Sequence, residues 1–399
     1  MKERYKLTIE PLTPVHIGTG VELTPLDYKV TSKLGTTDFK KNMYFKFSSD
    51  KILKRMIESG DSQKLAKFEE ASVKGNMKEL QSFFQQNLTC VDDLDYPCEV
   101  TNGFVKRYSE NQGKDPYDNA SKVYQMYRPE GLKTSVIPGS SIKGAIRTGI
   151  LNAILSGMKK NNNDKIIELK KSFSQLKNEF EKKSFETKLQ KALLGSYSDA
   201  KNDPFRAVQI SDSFSKSSSF DNQQIVGLLK NVSYDESNEK LKAIEKLQIQ
   251  AECISGTLTD SKTVLEGVIS IDDDLFSAKQ ISKKITMKEV IKSCNHFFFD
   301  EFCNEGRRFY PKETGDTKLI DSLFEELSKI TDCDNSFIIR VGRWSQVEFV
   351  TFGSDFRNPK TPRGKDGKPK GWGGTRTLFD YNGQYLPMGW CKCTIEKLP

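Results

Sequence analysis

Histidine is nearly missing from this chain: its 399 residues include only His16 and His296. Cysteine pairs at metal-binding spacing are missing too. None of the eight cysteines forms a C-x-x-C, and structural zinc needs four Cys or His ligands at such spacings. Cys391 and Cys393 are read as facing opposite sides of a strand, which removes the one close pair. No apolar run approaches the roughly 20 residues that span a bilayer. Met1 to Ile9 alternates charge with apolarity and lacks the core of a signal peptide. The expectation is a cytoplasmic protein with no membrane segment, metal or cofactor, its cysteines reduced and mostly buried.

Charge of one sign is also scarce. Lys and Arg total 62 against 54 acids, a net charge of +8. An excess of that size serves solubility alone, so an acidic partner is favoured only where basic residues cluster. What is present is a foldable composition, 36% hydrophobic and 29% charged. The chain is too long for one comfortable core, and two or three domains are expected.

Alternation of Tyr5, Leu7 and Ile9 with polar residues predicts a first strand. Pro11 and Pro14 break it, and Val15-His16-Ile17-Gly18-Thr19-Gly20 reads as a tight glycine turn. Strands are expected at 26–30 and 44–47 and a helix at 51–59. Residues 60–135 carry only a helical stretch near Leu80 and two segments, 106–108 and 122–128, that interleave Tyr with Lys and Arg. Bases can stack on such rings while the cations meet phosphates; equally, the segments can be amphipathic strands with their tyrosines in the core.

The clearest helix starts at Ser140 or Ser141, with serine as N-cap and a stripe of Ile142, Ala145, Ile146, Ile150, Ala153 and Ile154. Lys143 and Arg147 occupy another face. From 157 to 191 ten lysines face five acids, a helical insertion with a solvated lysine face. A strand at 208–210 ends in a polar turn, and Leu241, Ile244 and Leu247 predict a short helix. Strands are expected at 251–258, 264–271, 337–341, 347–352 and 390–395, and helices at 287–298 and 319–330. This mixture is an α+β architecture, divided into residues 1–156, the insertion 157–200, and residues 201–399.

Chemistry concentrates at two basic, glycine-rich places. Pro138-Gly139-Ser140-Ser141-Ile142-Lys143-Gly144 sets N–H groups, hydroxyls and a lysine at one helix start, suited to a backbone phosphate. It lacks the G-x-x-x-x-G-K-[ST] spacing of a nucleotide-hydrolysing loop. Arg357 to Arg376 holds seven Lys or Arg against one acid, with Trp372 as a stacking surface; Arg363, Lys365 and Arg376 are its candidate contacts. A lone His16 beside a glycine turn lacks the second acid or base that metal-independent RNA cleavage needs, so it is assigned to hydrogen bonding in the turn. His296, within an aromatic run, reads as a core-edge residue. Asp92-Asp93 and Asp272-Asp273-Asp274 sit where elements should end and read as turn chemistry.

Four stretches together resemble the RAMP superfamily: Ile9 to Gly20, Ile137 to Arg147, Arg206 to Ser213, and Leu386-Pro387-Met388-Gly389-Trp390. They span nearly the whole chain in the expected order. Within the superfamily the pattern is most similar to the fifth-subunit family of type III-A (Csm) CRISPR effector complexes. The resemblance implies two ferredoxin-like (RRM-like) domains with helical and loop insertions. It also implies a non-catalytic RNA-binding subunit, capping the backbone filament near the 3′ end of the CRISPR RNA and supporting maturation of that RNA. The implied partners are the CRISPR RNA, the backbone and small subunits of the complex, and host nucleases that trim the RNA. By position, His16 and Gly18 would shape the first loop, and Ser140, Ser141, Lys143 and Arg147 would meet the guide backbone, with Arg206 on the strand opening the second half. The glycine-rich loop expected near the C-terminus is replaced by Val341-Gly342-Arg343-Trp344-Ser345-Gln346, where Arg343 and Trp344 can supply charge and stacking. The competing readings are a RAMP endoribonuclease, guide-processing or target-slicing, and an unrelated interaction protein with a basic surface.

Overall fold

The computed structural model describes residues 2–132, 134–161, 164–176, 179–195, 199–215, 223–235, 240–258, 262–277, 281, 283–310, 318–353, 356 and 374–399. The first strand, Lys2–Pro11, buries Tyr5, Leu7 and Ile9 on one face, as a period of two requires. It becomes the middle of an antiparallel sheet, paired on one side with Leu265–Asp272 and on the other with the C-terminal strand Trp390–Lys397. Ser336–Arg340 lies beyond Trp390–Lys397. Val208–Ile210 and Ser213–Ser215 both pair with Leu265–Asp272, and Val136–Ile137 forms the far edge.

Two long helices cover this sheet. Gly139–Lys160 and Met287–Phe309 pack on each other and merge with the sheet in one core. There Ile142, Ile146 and Ile150 meet Leu7, Ile269, Phe298, Phe302 and Trp390. Each such side chain contributes roughly 1.5–3 kcal/mol on burial. The helices Asp164–Ser174 and Glu179–Leu193 extend this core through Ile166, Phe185 and Leu189, so the lysine-rich stretch is helical, as read.

The second sheet runs Gly18–Leu23, Val123–Met126, Lys240–Ile254, Gln224–Asp235, Leu94–Val100, Thr37–Phe47, Tyr28–Leu34. The hairpin Thr375–Tyr381 and Gln384–Pro387 joins it at Gln224–Asp235. Two of its pairings are parallel, and the whole is a mixed α+β architecture.

Several sequence expectations are corrected. The short helix over Leu241, Ile244 and Leu247 is instead part of the strand Lys240–Ile254, paired with Gln224–Asp235 at Lys240–Ala243 and again at Gln248–Ile254, with an irregularity between. Pairing across a long hairpin overrides a local helical period. The strand expected at 347–352 is a single 3-10 turn, Val347–Phe349, because Glu348 and Phe349 both turn into the core. Residues 60–135 are more helical than their composition suggested, with Ser62–Val73, Met77–Asn87 and Asn102–Glu110. Lys106 to Tyr108 therefore lies on a helix, and Tyr108 is buried with Tyr28, Tyr44 and Phe104. Cys391 and Cys393 are both buried on one face of their strand, as residues two apart must be. No helix among the described residues is long and apolar enough to cross a membrane.

Candidate nucleic-acid interface

Three segments converge beside the first sheet: the turn after the first strand, the start of helix Gly139–Lys160, and the loop after Ser336–Arg340. Backbone approaches fix their spacing. Arg343 N–H donates to the His16 carbonyl at 2.8 Å. Gly342 has φ +89, and a Cβ there would lie 2.6 Å from the same carbonyl oxygen, so only glycine is accommodated. Gly389 ties the two loops together, donating to Pro14 O and accepting from Val341 N, each at 2.9 Å. Trp344 and Gln346 are held at φ +66 and +68, a strained conformation costing about 1–3 kcal/mol each. Between the segments lies a cleft of about 430 Å³, whose wall includes Gly18, Ser140, Ser141, Arg340, Arg343 and Val350.

The helix start differs from the predicted cap. Pro138 is the N-cap residue and no side chain caps from that position. Gly139 N–H instead donates to Asp212 Oδ1 at 2.8 Å, a carboxylate well placed against the helix dipole. A Cβ at 139 would stand 2.2 Å from Ile210 O, so the glycine lets the strand end pass. Neither serine caps the helix; both line the cleft, Ser140 exposed and Ser141 half-buried.

Arg343 is exposed, its guanidinium 4.2 Å from the centroid of Tyr124 and 5.1 Å from that of Trp344. Tyr124 and Trp344 meet edge-on at 6.1 Å, and Trp344 in turn leans on His16 at 5.0 Å. The aromatic–basic segment 122–128 thus reaches the site through Tyr124. Cation–π contacts of this kind hold an arginine while leaving its N–H edges to solvent or ligand.

His16 is fully buried, with Nδ1 2.7 Å from the Glu252 backbone oxygen. A carbonyl only accepts, so Nδ1 carries the proton and Nε2 is a bare acceptor. Burial pushes the imidazole pKa down, favouring the neutral ring. The Glu252 side chain anchors the surrounding strands. It is buried, and accepts from Arg128 Nη1 at 2.8 Å, Tyr96 OH at 2.9 Å and Met126 N at 3.0 Å.

A second buried ionic group backs the cleft. Glu305 accepts from Arg340 Nη1 at 2.7 Å and Arg376 Nε at 2.6 Å, and Arg376 also reaches Glu348 at 2.8 Å. Arg340 Nε donates to Met388 O at 2.8 Å, and the guanidinium faces Phe349 at 4.4 Å. Sequence reading passed over Arg340. Its clue was a charge ending the apolar run Phe337-Ile338-Ile339, a residue rarely buried unless paired or functional.

The remaining candidates separate. Arg376 is buried in that ionic group and turned away from solvent. Arg147 pairs with Asp203 at 2.9 Å and covers Phe205 at 4.9 Å. Lys143, its pKa lowered by burial, and exposed Arg206, which donates to Lys201 O at 3.0 Å, stand by the same aspartate segment. None of these three lines the cleft. Arg363, Lys365 and Trp372 fall outside the described residues. Among the described residues no group of three His, Cys, Asp or Glu could hold a metal ion.

The sequence matches the family model of the RAMP superfamily over residues 8–345. The chain belongs to the RAMP superfamily. Its fold resembles two solved structures. One is a chain of a Csm–crRNA–target RNA ternary complex of a type III-A CRISPR-Cas system, with TM-score 0.62 and 17% identity over 99% of this chain and 100% of that one. The other is Csm5 of T. onnurineus, with TM-score 0.55 and 16% identity over 96% and 99%. No curated protein sequence matches. In this RAMP chain the four sequence motifs have a common physical basis. They supply the His16 turn, the Ser140 helix start, the Asp212 cap and the Gly389 tie, and all four build or brace one cleft.

Proposed function

We propose that this RAMP chain is a non-catalytic RNA-binding subunit of a type III-A (Csm) CRISPR effector ribonucleoprotein. In this reading it caps the backbone filament near the 3′ end of the CRISPR RNA and supports maturation of that RNA. Its partners are the CRISPR RNA, the backbone and small subunits, and host trimming nucleases. Membership of the superfamily and the shared fold support the setting.

The observation that carries the RNA reading is the cleft itself, where two serine hydroxyls, Arg340 and an aromatic-backed Arg343 converge. Such a surface grips a phosphate backbone without reading base sequence, as a guide of variable sequence requires. The non-catalytic reading is supported at His16. Among the described residues no carboxylate, amine or phenol hydrogen-bonds its ring, so it lacks a partner for acid–base cleavage. The ferredoxin-like reading is supported by the antiparallel order Trp390–Lys397, Lys2–Pro11, Leu265–Asp272, Val208–Ile210 under two helices, the arrangement of a split βαβ unit.

The test is a set of anisotropy titrations of single-stranded RNAs at several salt concentrations. Arg343→Ala should weaken binding similarly for unrelated sequences and reduce the salt slope by about 1. No binding at low salt, or a loss confined to one sequence, contradicts the proposal. RNA cleavage abolished by His16→Ala with binding intact would favour the endoribonuclease instead.

A further inference from the structure

Among the side chains that line the cleft, Arg343 alone combines a charge, a planar group and exposure to solvent; Arg340 shares the first two but is buried. Arg340, Arg376, Arg128 and Arg147 each pair with a Glu or Asp. Among the described residues no carboxylate pairs with the Arg343 guanidinium, whose contacts are with rings. Its five N–H groups and the open side of its plane are therefore left to a ligand.

The rings beside it act as its backing. Trp344 is half-buried, its ring 5.0 Å from that of His16 and edge-on to Tyr124 at 6.1 Å. The Arg343 guanidinium carbon lies over Tyr124, 4.2 Å from the ring centroid, so the flat surface turned to solvent is the guanidinium itself. The loop that presents it is fixed in advance. Arg343 N–H is bound to His16 O, Trp344 sits at φ +66, and Gln346 Nε2 donates to the Trp344 carbonyl at 3.1 Å. Little ordering is left to oppose binding. The same wall carries Ile17 and Val350, the latter 62% exposed. A phosphate gains nothing from such apolar surface, whereas a base removes it from water.

We infer that a base of the bound strand stacks on the outer face of the Arg343 guanidinium, sandwiching it against Tyr124, while an N–H edge of the same group meets a neighbouring phosphate. This rests on the RNA-binding reading above and deepens it. Guanidinium planes serve as stacking surfaces for unpaired bases, and every base offers a π-face. The contact therefore holds a single strand without selecting its sequence. Lysine in this position keeps the charge and loses the plane, which separates the two halves of the contact.

The experiment titrates the full chain with the shortest single-stranded RNA that binds at full affinity, so that the strand cannot slip. A series of the same RNA has one base at a time replaced by an abasic ribose. One position of the series should show a loss of about 5–30-fold, the contribution of one stacked base. Arg343→Lys should bind the intact RNA weaker by about that factor, lose the penalty at that position and keep the native salt slope. Arg343→Ala should lose the penalty and also about 1 from the slope. An abasic series with no position singled out, a penalty that survives in Arg343→Lys, or a lysine variant that binds like the native chain overturns the stacking contact while RNA binding stands. A native salt slope in Arg343→Ala overturns the phosphate contact, and no binding of the intact RNA at low salt removes the RNA reading as well. Should either variant not fold, judged by circular dichroism, the abasic series on the native chain decides.

Discussion

Glu305 accepts hydrogen bonds from Arg340, Arg376 and the Tyr310 hydroxyl while only 4% exposed. Removing its charge leaves buried Arg340 without a carboxylate and Arg376 with Glu348 alone. Glu305→Gln is therefore expected to cost about 3–5 kcal/mol, read as a lower urea midpoint at unchanged slope; an unaltered midpoint would refute the network's role. Arg147 is a contrast. Its pair with Asp203 is partly exposed, so Arg147→Ala should cost no more than about 1 kcal/mol and affect RNA affinity less than Arg343→Ala. His16 makes a pH prediction. Burial holds its folded pKa below the ordinary imidazole range, the Arg343 and Arg128 charges push the same way, and the Glu252 contacts oppose them. The unfolded chain then takes up a proton first as pH falls, so stability is full above that unfolded value and declines below it. His16→Phe should flatten thermal stability between about pH 7 and pH 5; an unchanged slope would show that other groups set it. At this scale the candidate positions were partly legible. Gly18, Ser140, Ser141 and Arg343, picked out from residue type and motif, line one cleft, whereas Arg376 is buried and Arg340 lines the cleft in its place, because partners distant in sequence decided where each guanidinium sits.

The helix Gly139–Lys160 was legible from its apolar stripe, but its cap was not. The serines that resemble an N-cap line the cleft, and Asp212 supplies the carboxylate from another segment. Asp212→Ala should cost about 1 kcal/mol, the usual worth of a cap, measured by denaturation. Gly139→Ala should cost more, since its Cβ would press on Ile210 O at 2.2 Å. If the order of these two losses were reversed, the close approach would not be the reason for the glycine. Strands with strict alternation, such as Lys2–Pro11, were also legible, because half-burial imposes a period of two. In Lys240–Ile254 only the C-terminal end, expected as a strand at 251–258, was legible, and the start of the strand was not. Its local pattern fits a helix, and only its partner Gln224–Asp235 makes it a strand.

The first and last strands of the chain are neighbours, registered from Tyr5↔Lys397 to Pro11↔Cys391. A chain ending at Gly389 would leave Lys2–Pro11 paired on one side only and remove fully buried Trp390 from the core. Such a truncation is expected to lose cooperative unfolding and to aggregate through the bared edge; a sharp thermal transition at the native midpoint would contradict this. The amino-acid sequence by itself determined the α+β class, most of the strongly periodic elements and the family, because these follow from local hydrophobic periods and from glycines whose spacing is visible in one dimension. Only the tertiary structure decided that four separated motifs build or brace one cleft, that Arg340 stands beside it while Arg376 is turned inward, and that His16 is buried behind the turn on the Glu252 carbonyl. The physical reason is that each of these depends on a backbone contact or buried ion pair between residues tens to hundreds of positions apart, which no local pattern encodes.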